Sequence, residues 1–403
     1  LQIKRFFKWL SVIVIYPFTL YIILITQTEY NPALLLAIFI LLITILIIMI
    51  LFKLYKTKEN ETQTIDRKDL TGKSAGMTVE LCIVGKNENR DIIKTLEHYL
   101  SFPDSFKITV YDDQSDDGSY ENMITLAEKH RGRLTIKRLV RSEKTLHPKG
   151  MGVESFIDET EADLLLINDA DTIITLNDFE KALNFLIEKK YDVVHLSRRN
   201  DLSNAQSNRV SDTEEIANTA LKLFGINEWC FPGSGILMMK EAAQVINYRD
   251  FVPGDDLEMG RQLKATGKEI YHFQTLFAHE RAPENFRNFY NQRAKWCRNI
   301  AYHLLENEGS GSHIQATGSS FALFFLFGLS SPLSLIIIFI GIAYTLLSIF
   351  SSMILASRDF SKSFIPAIMN TLQLWVQAAV FTPYYLIIYP FKRNQMTYSK
   401  SRI

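Results

Sequence analysis

Cysteine is scarce in this 403-residue sequence: Cys82, Cys230 and Cys297 lie far apart with no CxxC pair. That spacing excludes a disulfide scaffold and a cysteine-ligated zinc site, and the three read as small apolar residues in a reducing compartment. The eight histidines show no HxxxH or HExxH spacing, so a zinc hydrolase finds no support. No GxGxxG follows the first strand-like run and no GxxxxGK[ST] occurs anywhere, which removes dinucleotide redox chemistry and P-loop hydrolysis. Charge of one sign is also lacking: 44 Lys and Arg balance 44 Asp and Glu, leaving no bulk positive field for nucleic acid. Disorder is excluded as well, because charged residues make up only 22% and aromatics 12%.

What is present is 47% hydrophobic residues, unevenly spread. Trp9 to Thr26 carries no charge, and Ala33 to Phe52 is almost wholly Leu, Ile, Phe and Met. Each run is long enough to cross ~30 Å of hydrocarbon as a helix. The short connector Gln27 to Pro32 makes them a hairpin over residues 1–55, and no small-residue cleavage site follows the first run, so the pair reads as an anchor rather than a signal peptide. Lys4, Arg5 and Lys8 before it and Lys53, Lys56 and Lys58 after it put both ends in the cytoplasm. Residues 314–391 form a second membrane region: Ile314 to Ser357 is uncharged with a break at Gly328 to Pro332, and Ser363 to Phe391 is a further uncharged run. The basic tail 392–403, with Lys392, Arg393, Lys400 and Arg402, is cytoplasmic only if the C-terminal half crosses an even number of times. Ile314 to Leu329 then lies along the interface or re-enters, giving four spans with five as the rival.

Between the two membrane regions, residues 56–313 alternate strand and helix patterns, which argues an α/β domain with a mostly parallel, doubly wound, Rossmann-like sheet. Strands are expected at Thr78–Val84, Lys107–Tyr111, Leu134–Val140, Asp163–Asn168 and Val193–Ser197, and helices at Ile92–Phe102, Tyr120–Arg131 and Phe179–Lys190. In such sheets ligands bind beyond the carboxyl ends of the strands. The acidic clusters fall there. Asp112 and Asp113 close one strand and could accept hydrogen bonds from a base or ribose, whereas Asp116 to Ser119 read as a turn capping the next helix. Four aliphatics, Leu164 to Ile167, lead into Asn168-Asp169-Ala170-Asp171, and strand alternation would point both carboxylates to one face. Two such carboxylates repel unless a hard divalent cation lies between them and a phosphate. With the phosphate loops of redox and P-loop enzymes missing, the economical reading is sugar transfer from a nucleotide diphosphate.

This order of motifs resembles glycosyltransferase family 2, and within it the membrane-embedded processive synthases of hyaluronan, chitin, cellulose and poly-N-acetylglucosamine. The likeness runs from about Val79 to Trp296 and extends to the flanking apolar runs. It implies a cytoplasmic GT-A domain inserted between N- and C-terminal transmembrane helices, in the plasma membrane. Asp112-Asp113 resembles the uridine-binding acidic pair, His147-Pro148-Lys149-Gly150 the basic GK segment, and Asp169-Ala170-Asp171 the DxD. By this resemblance Asp113 contacts uracil or ribose, Lys149 approaches the nucleotide, and Asp171 with Asp169 holds Mg²⁺ or Mn²⁺ on the diphosphate. Gly254-Asp255-Asp256 stands in the place of TED, with Leu263 and Gly267 selecting Asp256 as general base, departing by Gly for Thr and Asp for Glu. A plainer reading of Asp255 or Asp256 is a helix cap.

Gln292-Arg293-Ala294-Lys295-Trp296 resembles QxxRW on an interfacial helix near residues 286–306; helical spacing puts Gln292 and Trp296 on one face. Lys295 replaces the family arginine, and since an ammonium cannot fork onto a diphosphate, Arg293 or Arg298 could supply that contact instead. An amphipathic helix at a membrane surface would show the same composition. Trp229, before the Gly233 to Gly235 turn, stands as an acceptor platform. The expected activity is inverting, metal-dependent transfer from a UDP-sugar to a growing β-linked polysaccharide, exported through the protein's own helices. Its partners are the donor, a polysaccharide or lipid-linked acceptor and the bilayer, with no nucleic acid, and an accessory membrane or export subunit is a further candidate. The alternatives are transfer of one or two sugars to a lipid, or a catalytically silent membrane scaffold.

Overall fold

The computed structural model describes residues 32–65, 76–140, 148–200, 206–224, 231, 233–247, 254–306 and 333–376. The run Trp9 to Thr26, the segment Ile314 to Pro332, Trp229 and the basic tail lie outside them. Among the described residues eight strands form one sheet: β1 (Val79–Gly85), β2 (Phe106–Asp112), β3 (Leu134–Arg138), β4 (Leu164–Asn168), β5 (Ile173–Ile174), β6 (Val193–Asn200), β7 (Ile236–Met239) and β8 (Ile270–Glu280). Their spatial order is β3-β2-β1-β4-β7-β6-β8-β5.

The five strands expected from the sequence are present, and β1, β2, β3 and β4 pair in parallel. The expectation of a mostly parallel sheet needs correction beyond β4. β7 runs antiparallel to both β4 and β6, and β5 runs antiparallel to β8, so the sheet is mixed. A four-residue apolar run such as Ile236 to Met239 carries no directional signal, and its direction is set by where the chain returns to the sheet.

Alternating side chains of the parallel strands supply two cores. Leu81, Ile83, Leu164 and Leu166 face one layer with Leu96 of α2 (Ile92–Leu100), Met123 of α3 (Ser119–Lys129) and Phe179 of α5 (Leu176–Lys189). Cys82, Leu165 and Ile167 face the other with Phe156 of α4 (Pro148–Glu159), Ala242 of α7 (Lys240–Ala243) and Leu263 of α8 (Asp255–Ala265). Such two-sided burial explains why these strands read as continuous apolar runs. Cys82 packs here as a small apolar residue.

A third apolar cluster joins the remaining helices. Ile50 and Leu54 of the 34-residue α1 (Pro32–Ile65) pack with Ile216 and Ala220 of α6 (Gln206–Lys222) and Leu347 and Ile354 of α10 (Leu333–Ile354), beside α11 (Phe360–Val376). α9 (Phe286–Glu306) is the helix that carries Gln292 to Trp296. Side chains are described only from residue 41 in α1 and from residue 341 in α10, and no helix among the described residues is long and apolar enough to cross a membrane. α1 is tied to the sheet at Glu61. Its carboxylate accepts hydrogen bonds from the backbone N of Gln274 and Thr275 at 3.0 and 2.9 Å, from Thr275 Oγ1 at 2.7 Å and from Tyr271 OH at 2.9 Å. Gln274 and Thr275 belong to a bulge in β8, where the register against β6 jumps from His195↔His272 to Ser197↔Phe277.

Candidate active site

The carboxyl ends of β1, β2 and β4 carry the acidic residues, as open α/β sheets require. Asp112 is buried at the end of β2, where it accepts Ser115 N at 3.1 Å and faces Arg138 Nε at 3.3 Å. Asp113, also buried, donates its backbone N to Gly85 O at 2.8 Å and so extends the pairing of β1 and β2. Asp117 accepts Ser119 N and Asn89 N, each at 3.0 Å, which makes Asp116 to Ser119 the helix-capping turn expected. Asn87 and Gln114 hold left-handed backbone at φ 57° and 56°, a strain of roughly 1 kcal/mol or more each, at this rim.

β4 ends at Asn168, so Asp169 and Asp171 occupy the turn beyond it, closed by Thr172 N on Asp169 O at 3.1 Å, and strand alternation does not govern their directions. Pro148 opens α4, a position that tolerates its missing N–H, and Lys149 follows at the first turn. Gly152 lets that helix lie close on β1: an added Cβ would meet Val84 at 2.8 Å. Lys149 Nζ reaches Asp169 Oδ1 at 2.7 Å and Gly233 O at 3.2 Å. Gly233 has φ 91°, and a Cβ placed there would lie 3.5 Å from Asp256 Oδ2, 3.8 Å from Lys149 Nζ and 3.9 Å from Asp169 Oδ2. Residues far apart in the chain thus converge on one bare backbone. Asn168 locks the turn in place, accepting Gly235 N on Oδ1 at 2.8 Å and donating from Nδ2 to Tyr99 OH at 2.8 Å.

Burial, and next the charge of Asp169, pushes the Asp171 carboxyl up to about 6, with Arg198 pulling the other way. Paired carboxylates in this state suit a divalent cation, which would relieve both penalties. Among the described residues no group of three or more His, Cys, Asp or Glu surrounds a single point. Magnesium typically takes one or two carboxylates and completes its shell with phosphate and water, so the Asp169 and Asp171 pair fits it.

The sequence reading missed Arg198, Glu280 and Ser234. Glu280, at the carboxyl end of β8, meets Arg198 Nε at 2.6 Å, accepts the Ser234 hydroxyl and takes Thr172 Oγ1 at 3.4 Å. Burial drives Glu280 up to about 8, against the pull of Arg198, while Asp171 and Asp169 push the same way as burial. The rule that located the other acids, a carboxylate closing a strand, applies equally to Glu280 in Ala278-His279-Glu280. Arg198 carried no local signal, because its partners come from β8, α6 and the DxD turn.

On α9, Arg293 is fully buried and forks onto Glu214 Oε2 at 2.8 and 2.6 Å, with Ser211 Oγ at 3.0 Å. Its guanidinium lies 4.2 Å from the Phe289 ring and 4.3 Å from the Trp296 ring, and Arg198 approaches Trp296 at 5.7 Å. Arg293 is therefore committed to docking α9 on α6, which corrects the idea that it reaches a diphosphate. Gln292 and Trp296 are half-buried and Lys295 is exposed, with no described contact to Asp169, Asp171 or Asp256. The site thus brings together Lys149, Asp169, Asp171 and Asp256, places Asp112 and Asp113 along the same sheet edge, and joins neither Gln292, Lys295 nor Trp296 to them among the described contacts.

Residues 164–387 match the family model described as glycosyl transferase family group 2, and residues 80–246 match glycosyl transferase family 2. No curated protein matches the chain. Among solved structures, it is similar to the mannosyltransferase PcManGT of Pyrobaculum calidifontis, in complex with GDP-Man and Mn²⁺, at 14% identity over 86% of this chain and 99% of that one, with a TM-score of 0.49. The glucosyl-3-phosphoglycerate synthase of Mycobacterium tuberculosis, with UDP and Mn²⁺, shows 17% identity over 58% and 80%, TM-score 0.40. TarS of S. aureus shows 16% identity over 59% and 42%, TM-score 0.39. At such identities none of them transfers a substrate to this chain.

Proposed function

We propose that this chain, which belongs to glycosyl transferase family group 2 and transfers a sugar from a nucleotide sugar, uses a UDP-sugar to extend a β-linked polysaccharide at the cytoplasmic face of a membrane. The observation that carries this reading is the convergence of Asp256, Lys149 and Asp169 on Gly233. Asp112 and Asp113 line the uridine side, and Lys149 faces the diphosphate. Asp169 and Asp171 would hold Mg²⁺ or Mn²⁺, whose positive charge, once bound, stabilises the departing diphosphate.

Asp256 takes the proton of the acceptor hydroxyl as that oxygen attacks the anomeric carbon from the face opposite the diphosphate. The bond from carbon to phosphate oxygen breaks, its electron pair leaves with UDP, and the configuration inverts. On the side of α9, Trp296, whose ring is held against Arg293 and Arg198, and Gln292, which accepts from Arg293, are assigned to the acceptor sugar.

Two features support a membrane-bound polymerase. Leu41, Ile45, Ile48, Phe52 and Tyr55 are exposed at helical spacing along α1, an apolar stripe that suits lipid. Between α10 and α11 runs a buried polar seam: Asn370 Nδ2 reaches Tyr344 OH and Ser348 Oγ at 3.3 Å each, and Thr345 meets Thr371 at 2.7 Å. Neither amide atom of buried Gln373 has a hydrogen-bond partner among the described residues. Unsatisfied polar groups between apolar helices suit a hydroxyl-rich chain passing through.

The test is turnover of the purified protein in lipid, with Mn²⁺ and labelled UDP-sugars offered singly and in pairs, reading UDP release and product length. Long polymer is expected, and Asp256→Asn should lower transfer by about 10²–10⁴-fold with UDP binding intact. Release of UDP with only a mono- or diglycosylated lipid would replace the polymerase reading by single transfer. Absence of both turnover and UDP binding would leave a silent scaffold.

A further inference from the structure

Arg199 follows Arg198 on β6 and belongs to a different cluster. Its Nε donates to Asp212 Oδ1 at 2.9 Å, and its guanidinium lies 4.9 Å from the Phe277 ring. Arg358, in the turn between α10 and α11, reaches the second oxygen of the same carboxylate with Nη2 and Thr213 Oγ1 with Nη1 at 3.3 Å. Arg209, in the first turn of α6, contributes a third guanidinium close enough to repel Arg358, and it has no carboxylate partner among the described residues. Asp212 is fully buried and already accepts Asn200 N at 2.8 Å.

The neighbouring carboxylates are engaged elsewhere: Glu214 with Arg293, Glu215 facing Arg198, and Asp359 with Lys362. Two largely buried guanidiniums, Arg199 and Arg358, therefore share one described carboxylate, and the half-buried Arg209 adds a third positive charge close to Arg358. Burial first, then repulsion from Arg199 and Arg209, brings Arg358 down to about 10, and burial brings Arg199 to about 10. A partly desolvated surplus of guanidinium charge is costly until an anion meets it, and forked N–H donors match the oxygens of phosphate. Beside Arg358 the surface turns apolar and aromatic: Phe360 and Phe364 are exposed with rings 5.3 Å apart, and Ile365 and Leu372 are exposed on the same helix.

We propose that Arg199, Arg209 and Arg358 form a binding site for a phosphate group, separate from the sugar-transfer centre and supplied either by a lipid headgroup or by free phosphate. The site does not rest on the sugar-transfer reading. The exposed phenylalanines beside it favour the lipid source, since a headgroup would bind the guanidiniums while its acyl chains cover the rings.

The experiment uses the full chain in neutral detergent at fixed ionic strength, following its thermal midpoint against dihexanoyl phosphatidic acid, dihexanoyl phosphatidylcholine and inorganic phosphate. Saturable stabilisation by phosphatidic acid, and none by phosphatidylcholine, is expected. Arg209→Gln, which removes no described ion pair, should weaken that binding roughly tenfold, and Arg209→Gln combined with Arg358→Gln should abolish it. Lys129→Gln, an exposed charge on α3, should leave it unchanged. Inorganic phosphate matching phosphatidic acid would support the site and identify free phosphate as its source; an effect of phosphatidic acid alone would identify the headgroup. Wild-type affinity in Arg209→Gln, or equal stabilisation by phosphatidylcholine, would overturn the proposal. A cooperative thermal transition without ligand reports whether each variant is folded.

Discussion

Gly233 is the residue on which the candidate site turns, for a reason its neighbours impose. Its φ of 91° disfavours any side chain, and the space a Cβ would fill is bounded by Asp256, Lys149 and Asp169. Gly233→Ala should cost roughly 1–3 kcal/mol in backbone strain and lower kcat by about tenfold or more through displacement of reacting groups. Steady-state kinetics beside thermal unfolding would check this, and an unchanged kcat would place the reaction elsewhere. At this scale much of the site was legible. Asp112, Asp113, Asp169 and Asp171 declare themselves by closing apolar strands, and Lys149 and Asp256 by the motifs they resemble. Arg198, Glu280 and Ser234 were not legible together, because the contacts joining them depend on the spatial order of β6, β7 and β8. Lys295 shows a different limit, since a motif position gives helical spacing but not which way the helix is docked.

Among the elements, strands and helices of the domain were readable from periodicity, and the direction of β7 was not. The attachment of α1 was equally hidden, because Glu61 finds its donors more than 200 residues later, at Gln274 and Thr275. Burial raises the Glu61 carboxyl from 4.5 to about 7, although hydrogen bonds from Thr275, Tyr271 and the backbone of Gln274 pull it down. Between those values the folded chain holds a proton that the unfolded chain has lost, so stability is greatest below the unfolded value and falls as pH rises through about 7. The thermal midpoint should therefore decline from about pH 5 to pH 8, and Glu61→Gln should flatten that part of the slope. A slope identical in the variant would mean that Glu61 is ionised throughout and that some other group titrates.

For the whole molecule, the mixed sheet determines when the active site is assembled. β7 enters from the carboxyl edge of its neighbours, so the turn at Gly233 to Gly235 is stitched to β4 through Asn168 and to β8 through Ser234 and Glu280. The turns that carry Asp169 and Gly233 thus hang on one hydrogen-bonded ladder, which fixes their alignment. Enzymes gated by loop or domain closure slow as the solvent thickens, because large segments must move through it in each cycle. Here the first transfer in a rapid-mixing experiment should be nearly indifferent to added sucrose or glycerol, with any drag confined to later departure of product. A first turnover that slowed in proportion to viscosity would reveal a moving part outside the ladder.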